Sequence, residues 1–154
     1  MMKVAKKIKK ILSNPILLFF LRVIMGVVFI IASVNKIIEP EYFKAVIAEY
    51  KILPDIFVPL FAIILPWIEL LCGIMLILDI YTQSNALIML GILCIFIIGM
   101  SINLYQGIIH DCGCFDLFGK EDISVFTLLR DLIFILLTLP ILLYSKNNFL
   151  LKVI

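Results

Sequence analysis

A chain of 154 residues, 64% of them hydrophobic, with a mean hydropathy of +1.23, is too apolar for an ordinary soluble domain, where about half of the residues are apolar. Its length suits one compact domain, and the composition points to an all-α integral membrane protein. The net charge of +2 excludes a nucleic-acid-binding role, because the basic run from Lys3 to Lys10 abuts an apolar segment and reads as a topogenic signal.

After that cationic collar comes an apolar run from about Pro15 to Ile38. A signal peptide has an apolar region of only ~7–15 residues, whereas a spanning helix needs about twenty. This run is therefore predicted as the first transmembrane helix. Asn14-Pro15 suits its start, since proline is tolerated in a first turn. From Glu39 to Phe57 the pattern changes: Phe43, Val46, Ile47 and Tyr50 recur at helical spacing, with Lys44, Glu49 and Lys51 between them. That amphipathic stretch predicts a short helix lying along the membrane interface.

Val58 to Leu78 is the second predicted span, interrupted by Pro66, and residues 79–85 read as a tight turn. Ala86 to Tyr105 is the third span, residues 106–124 form a polar loop, and Val125 to Tyr144 is the fourth span. A short apolar tail follows Ser145-Lys-Asn-Asn148 and has no assignment. The expected architecture is a single four-helix bundle over residues 1–154.

Four spans put both termini on one side of the membrane. That side carries Lys3, Lys6, Lys7, Lys9, Lys10, Lys146 and Lys152, while the opposite loops carry Glu39, Glu41, Glu49, Asp55, Asp111, Asp116, Glu121 and Asp122. The positive-inside rule then predicts a multi-pass protein of the cytoplasmic membrane, with cytoplasmic termini and an extracytoplasmic 106–124 loop. Disulfides persist in such a compartment.

Arg22, Glu69, Arg130 and Asp131 lie inside the predicted spans. A charge at that depth costs at least a few kcal/mol unless it is paired or hydrated, which makes each a functional candidate. By helix rise, Arg22 stands roughly 10 Å above the cytoplasmic edge and Glu69 about 15 Å, a gap an arginine side chain spans. Two readings stay open at this stage: a structural clamp in which Arg22 or Arg130 holds Glu69, and a polar pocket beneath the loop. Lys36, at the outer end of the first span, is expected to snorkel to the headgroups. Gly26, Gly73, Gly91 and Gly99 are expected to be close-packing points between helices.

Cys72 and Cys94 fall mid-span and are expected to behave as small buried hydrophobes. His110-Asp111-Cys112-Gly113-Cys114-Phe115-Asp116 is different, because it places two thiols and the single histidine in a polar island between two apolar spans. A disulfide between Cys112 and Cys114 would close a tiny loop and make a poor staple, and strained, exposed disulfides are the labile ones. Glycine supplies the backbone freedom that such a closure requires. Thiol–disulfide exchange is one reading. Metal binding is the other, since His110, Cys112 and Cys114 make a soft donor set suited to copper(I) or zinc.

Several segments then carry a resemblance. Arg22, Gly26 and Phe29 are followed by Lys36, Pro40 and Phe43, by Tyr50-Lys-Ile-Leu-Pro54, and by Leu65-Pro-Trp-Ile-Glu69 with Gly73. Asn103-Leu-Tyr-Gln-Gly107 then leads into Cys112-Gly-Cys-Phe115. This pattern resembles the MauE/DoxX-like family of redox-associated membrane proteins, in which the last segment typically reads Cys-Gly-Cys-Phe-Gly. Here Asp116 replaces the final glycine. The resemblance implies a four-helix membrane protein engaged in thiol redox work beside a thioredoxin-like partner, supporting disulfide formation in methylamine utilisation.

The combined expectation is a membrane thiol–disulfide carrier or assembly factor, with Cys112 and Cys114 exchanging and His110 modulating their protonation. Arg22, Glu69 and Arg130 would line a polar site below, and a quinone is a candidate acceptor by analogy with other four-helix thiol oxidases. The competing expectation is a metal-handling or purely structural subunit of a membrane complex.

Overall fold

The structure is a computed structural model and describes residues 12–51, 54–107 and 123–145. The described residues form five helices and no strand: α1 (Pro15–Ile38), α2 (Pro40–Glu49), α3 (Val58–Ile77), α4 (Thr82–Tyr105) and α5 (Val125–Tyr144). All but α2 are long and apolar enough to cross a membrane.

Local chemistry explains the boundaries. Asn14 caps α1 by accepting the Ile16 N–H at 3.0 Å, and Pro15 occupies the first turn, where a missing N–H costs nothing. Pro40 starts α2 in the same way. Helix α5 opens with a reciprocal cap: the Ser124 N–H donates to Thr127 Oγ1 at 2.9 Å, and the Thr127 N–H donates back to Ser124 Oγ at 3.4 Å. Helix α3 continues through Pro66.

The start of α4 corrects the sequence reading. The polar run Thr82-Gln-Ser-Asn85 is the helix's first turn, so the connection between α3 and α4 is shorter than predicted. Those side chains replace a longer loop by satisfying the turn from within the helix. Thr82 Oγ1 donates to Asp79 Oδ1 at 2.6 Å, and Asn85 Nδ2 donates to the Ile80 carbonyl at 2.7 Å. Asp79 and Tyr81 take up positive φ values of 59° and 45° to make the reversal.

The amphipathic stretch after α1 is a helix, as its spacing predicts. Phe43, Val46 and Ile47 are its buried face; Phe43 and Ile47 pack with Val58 and Ala62 of α3, and Val46 joins the main core. The spans pack chiefly as two pairs, α1 on α3 and α4 on α5. Their shared core includes Met25, Phe29, Leu76, Met89, Leu93 and Met100. Outside that core the helices are apolar as well: Phe19, Phe20, Trp67, Ile95 and Phe126 are exposed. A bundle that is hydrophobic all round needs hydrocarbon as its solvent.

Glycine decides how closely α1 and α3 approach. A Cβ added to Gly26 would lie 2.8 Å from the Gly73 carbonyl oxygen, and one added to Gly73 would lie 2.9 Å from that of Gly26. Backbone meets backbone there, as expected for small residues at a membrane helix crossing. Gly91 departs from the expectation, because a Cβ there meets nothing within 4 Å.

Candidate functional site

The Gly26–Gly73 contact sets the register of two antiparallel helices, and an ion pair follows on each side of it. Toward the end where residues 106–124 leave the bundle, Lys36 stands roughly 15 Å along α1 from Gly26, and Glu69 about 6 Å along α3 from Gly73. Helical side chains lean toward the N-terminus of their own helix. In antiparallel partners they therefore lean toward each other across this offset. Lys36 Nζ donates to both Glu69 oxygens, Oε1 and Oε2, at 2.8 Å each. Lys36 is 4% exposed and Glu69 2%.

This geometry corrects two expectations. Lys36 does not snorkel outward, and Glu69 is held by Lys36 rather than by Arg22 or Arg130. The ammonium also lies 5.0 Å from the ring centroids of Phe43 and Phe96, so α2 and α4 both cover it. Ring faces carry partial negative charge and attract such a cation. Four elements (α1, α2, α3 and α4) thus converge on one buried lysine.

Toward the opposite end the offset is reversed. Arg22 lies about 6 Å from Gly26, while Asp79 closes α3 about 9 Å beyond Gly73. The Arg22 guanidinium donates through Nη1 to Asp79 Oδ1, the same oxygen that accepts the Thr82 hydroxyl. Arg22 therefore belongs to the α3–α4 turn, at the other end of the bundle from the loop it was expected to underlie. Arg130, in the second turn of α5, pairs through Nε with Oδ1 of its neighbour Asp131 at 3.2 Å, and Asp131 is fully buried. Glu69, Arg22 and Arg130 thus each pair with a different residue: Lys36, Asp79 and Asp131.

Cys72 is buried one turn from Glu69, as expected, whereas Cys94 faces outward from α4. Asn103, near the end of α4, is 1% exposed, and its Nδ2 has no hydrogen-bond partner among the described residues. His110, Cys112 and Cys114 lie outside the described residues. The anchors of their segment are described: Gly107 at φ 72° on one side, and the buried Ile123 with the Ser124 cap on the other. Among the described residues no group of His, Cys, Asp and Glu side chains could hold a metal.

The sequence reading missed Lys36 and Asp79 as charge partners. The available signal was charge balance: each lies within a few residues of a span end, and each matches an opposite charge one helix away. An apolar groove lies beside the Lys36 site, lined by Ile47, Tyr50, Phe61, Leu65, Phe96 and Gly99 among others. Phe96 is shared between the groove and the lysine.

Comparison with known proteins gives a consistent family. The family model for methylamine utilisation protein MauE matches residues 14–144. A methylamine utilization protein MauE of Paracoccus denitrificans is 29% identical over 131 residues, 84% of this chain and 70% of that protein. The one from Methylophilus methylotrophus is 30% identical over 107 residues, 69% of this chain and 56% of its own length. A third, from Methylorubrum extorquens, is 29% identical over 118 residues, 76% of this chain and 63% of its own. The aligned part of the chain thus spans between 56% and 70% of the length of these three relatives. No solved structure matches the chain.

Proposed function

The chain belongs to the family of methylamine utilisation protein MauE, and from that premise we propose that it is a membrane thiol–disulfide carrier or assembly factor for disulfide formation outside the cytoplasm. The feature that carries this reading is the Cys112-Gly-Cys114 pair in the sequence between α4 and α5; the helix ends that flank this segment lie at the end of the bundle where Lys36 and Glu69 are buried.

Exchange needs two sulfurs. A thiolate of a thioredoxin-like partner attacks the Cys112–Cys114 disulfide, forming one S–S bond and releasing the other sulfur as thiolate. The partner's second thiol then displaces the mixed disulfide, so the partner leaves oxidised and the pair remains reduced. Restoring the pair requires an acceptor of two electrons and two protons. A quinone, becoming quinol, meets that requirement from within the lipid. His110 modulates the protonation of the pair. The polar site at that end of the bundle is Lys36 with Glu69, while Arg130 pairs with Asp131 on α5 and Arg22 with Asp79 at the other end.

Cys112→Ser should leave insertion and folding intact, because so small a loop contributes little as a staple. With the partner supplied in its disulfide form, the remaining Cys114 thiolate should open that disulfide and, with no Cys112 to resolve the mixed disulfide, accumulate as a covalent adduct, visible as a higher band that collapses under reductant. Cys114→Ser tests the opposite order of attack. If neither variant traps a partner and both lose bound copper or zinc, the exchange reading falls and His110, Cys112 and Cys114 form a metal site instead.

Orientation has its own test. The lysine asymmetry places both termini in the cytoplasm. A membrane-impermeant thiol reagent applied to reduced, intact spheroplasts should therefore label Cys112 or Cys114. It should spare the buried Cys72 and the outward-facing Cys94, which the lipid shields. Labelling of the pair only after lysis would reverse the orientation.

A further inference from the structure

Two rings close over the Lys36 ammonium, and they stand on unlike elements. Phe96 belongs to α4, a 24-residue helix long and apolar enough to cross a membrane. Phe43 belongs to α2, which has 10 residues. So short a helix is not stable alone in water, and α2 keeps its form by packing. Its buried face is Phe43, Val46 and Ile47, while Ala45, Ala48 and Glu49 are exposed.

Both ends of α2 are built as joints. Glu39 alone separates it from α1, with a non-helical ψ of 65°, and no side chain caps the α2 N-terminus. At the other end Lys51 takes a φ of 50°, an uncommon and strained value for a residue with a Cβ. Space adjoins the helix as well. The apolar groove lined by Ile47 and Tyr50 holds about 80 Å³. A second cavity, of about 280 Å³, lies beside Ala45 and Ala48, against Val58 and Pro59 at the start of α3. Well-packed interiors have few voids larger than a water molecule, so α2 is seated on α3 less tightly than α1 is at the Gly26–Gly73 contact.

We propose that α2 is a hinged lid over the Lys36–Glu69 pair. Seated, it lays Phe43 over the ammonium at 5.0 Å and keeps the pair dry. Raised about Glu39 and Lys51, it withdraws Phe43 while Phe96 stays with its span, and water reaches the two charges from that end of the bundle. Elements that open without unfolding the whole protein come from its less stable parts, those with few buried apolar contacts. A short helix with three buried side chains, two joints and a cavity on either side meets that description. The lid concerns the ion pair alone and stands whether or not Cys112 and Cys114 exchange disulfides.

Lys36 itself reports the lid, because its amine meets a water-soluble acylating reagent only when uncovered. The purified full chain in neutral detergent is treated with sulfo-N-hydroxysuccinimidyl acetate, and acetylation of each lysine is followed by peptide mass spectrometry. Lys51, exposed, is the internal standard. Phe43→Ala and Ile47→Ala should each speed Lys36 acetylation by about tenfold or more, given what truncating a buried apolar side chain costs. Ile47 packs α2 on Val58 and Ala62, so its effect would come through the seating of α2 rather than through the ring on the ammonium. Ile141→Ala opens a cavity in α5 toward the other end of the bundle, where Ile141 is fully buried. It should lower the melting temperature yet leave Lys36 close to its wild-type rate, since a local opening does not follow global stability. If Ile141→Ala speeds Lys36 as much as Ile47→Ala does, the lysine is reached by unfolding of the whole bundle and the lid is overturned. Acceleration by Phe43→Ala but not by Ile47→Ala would make Phe43 a fixed cover and overturn it too, as would no change in either. Should Phe43→Ala fail to fold, Ile47→Ala against Ile141→Ala decides alone.

Discussion

Lys36→Met is expected to cost the folded bundle about 3–5 kcal/mol, the loss typical when one partner of a buried ion pair is removed. Lys36 supplies hydrogen bonds to both carboxylate oxygens of Glu69. Glu69 is 2% exposed, and without the lysine it must take up a proton or drag in water. Lys36→Met combined with Glu69→Met should recover most of the loss, because replacing a buried pair by apolar side chains of similar size is often neutral or stabilising. Thermal unfolding of the purified variants in detergent measures both. A double-mutant cycle should therefore show strong coupling between the two positions. Additive losses would mean that the pair does not hold Glu69 in solution. If the double variant folds well yet no longer supports disulfide formation, the charges serve the thiol chemistry rather than the scaffold.

Gly73→Val is expected to be as damaging, for a reason of space rather than charge. Any Cβ at position 73 would stand 2.9 Å from the Gly26 carbonyl oxygen and 3.3 Å from the Ile30 backbone nitrogen. Neither atom belongs to a side chain that can swing away. Overpacking typically costs about 1–3 kcal/mol and occasionally more. Valine here should reach the upper end or prevent assembly, with Gly73→Ala intermediate. The shift would also slide α1 along α3 and lengthen the Lys36–Glu69 and Arg22–Asp79 pairs together. Gly91→Ala is the matched control: a Cβ there meets nothing within 4 Å, and alanine favours a helix over glycine by about 1 kcal/mol. Thermal melts should rank the variants Gly91→Ala, Gly73→Ala, Gly73→Val in order of falling stability. Similar melts for the Gly91 and Gly73 alanine variants would show that α1 and α3 do not meet at Gly73.

The two ion pairs also explain why charge partners were hard to read from the chain. Counting residues inward from each span end put Arg22 and Glu69 within reach of each other. It missed that the Gly26–Gly73 contact offsets α1 against α3, and that side-chain lean closes some gaps and opens others. Asp79 was hidden for a related reason. Its polar neighbours Thr82, Gln83, Ser84 and Asn85 look like loop, yet they make the first turn of α4, which brings Asp79 back under the bundle. Lys36 looked like an ordinary anchoring lysine because its covers, Phe43 and Phe96, come from elements distant in sequence.

By itself, the sequence was sufficient for the helical class, for four spans within a few residues of their observed ends, for the short helix between the first two spans, and for the family. Those features depend on runs of apolar residues, on proline and capping side chains, and on motif spacing, all local along the chain. Only the tertiary structure decided which charges meet. Pairing depends on the axial register and rotation of one helix against another, and here these are set by two glycines 47 residues apart (73 − 26), where backbone contact leaves a single close approach. The same register sends Lys36 inward to Glu69 and leaves Arg22 at the far end with Asp79.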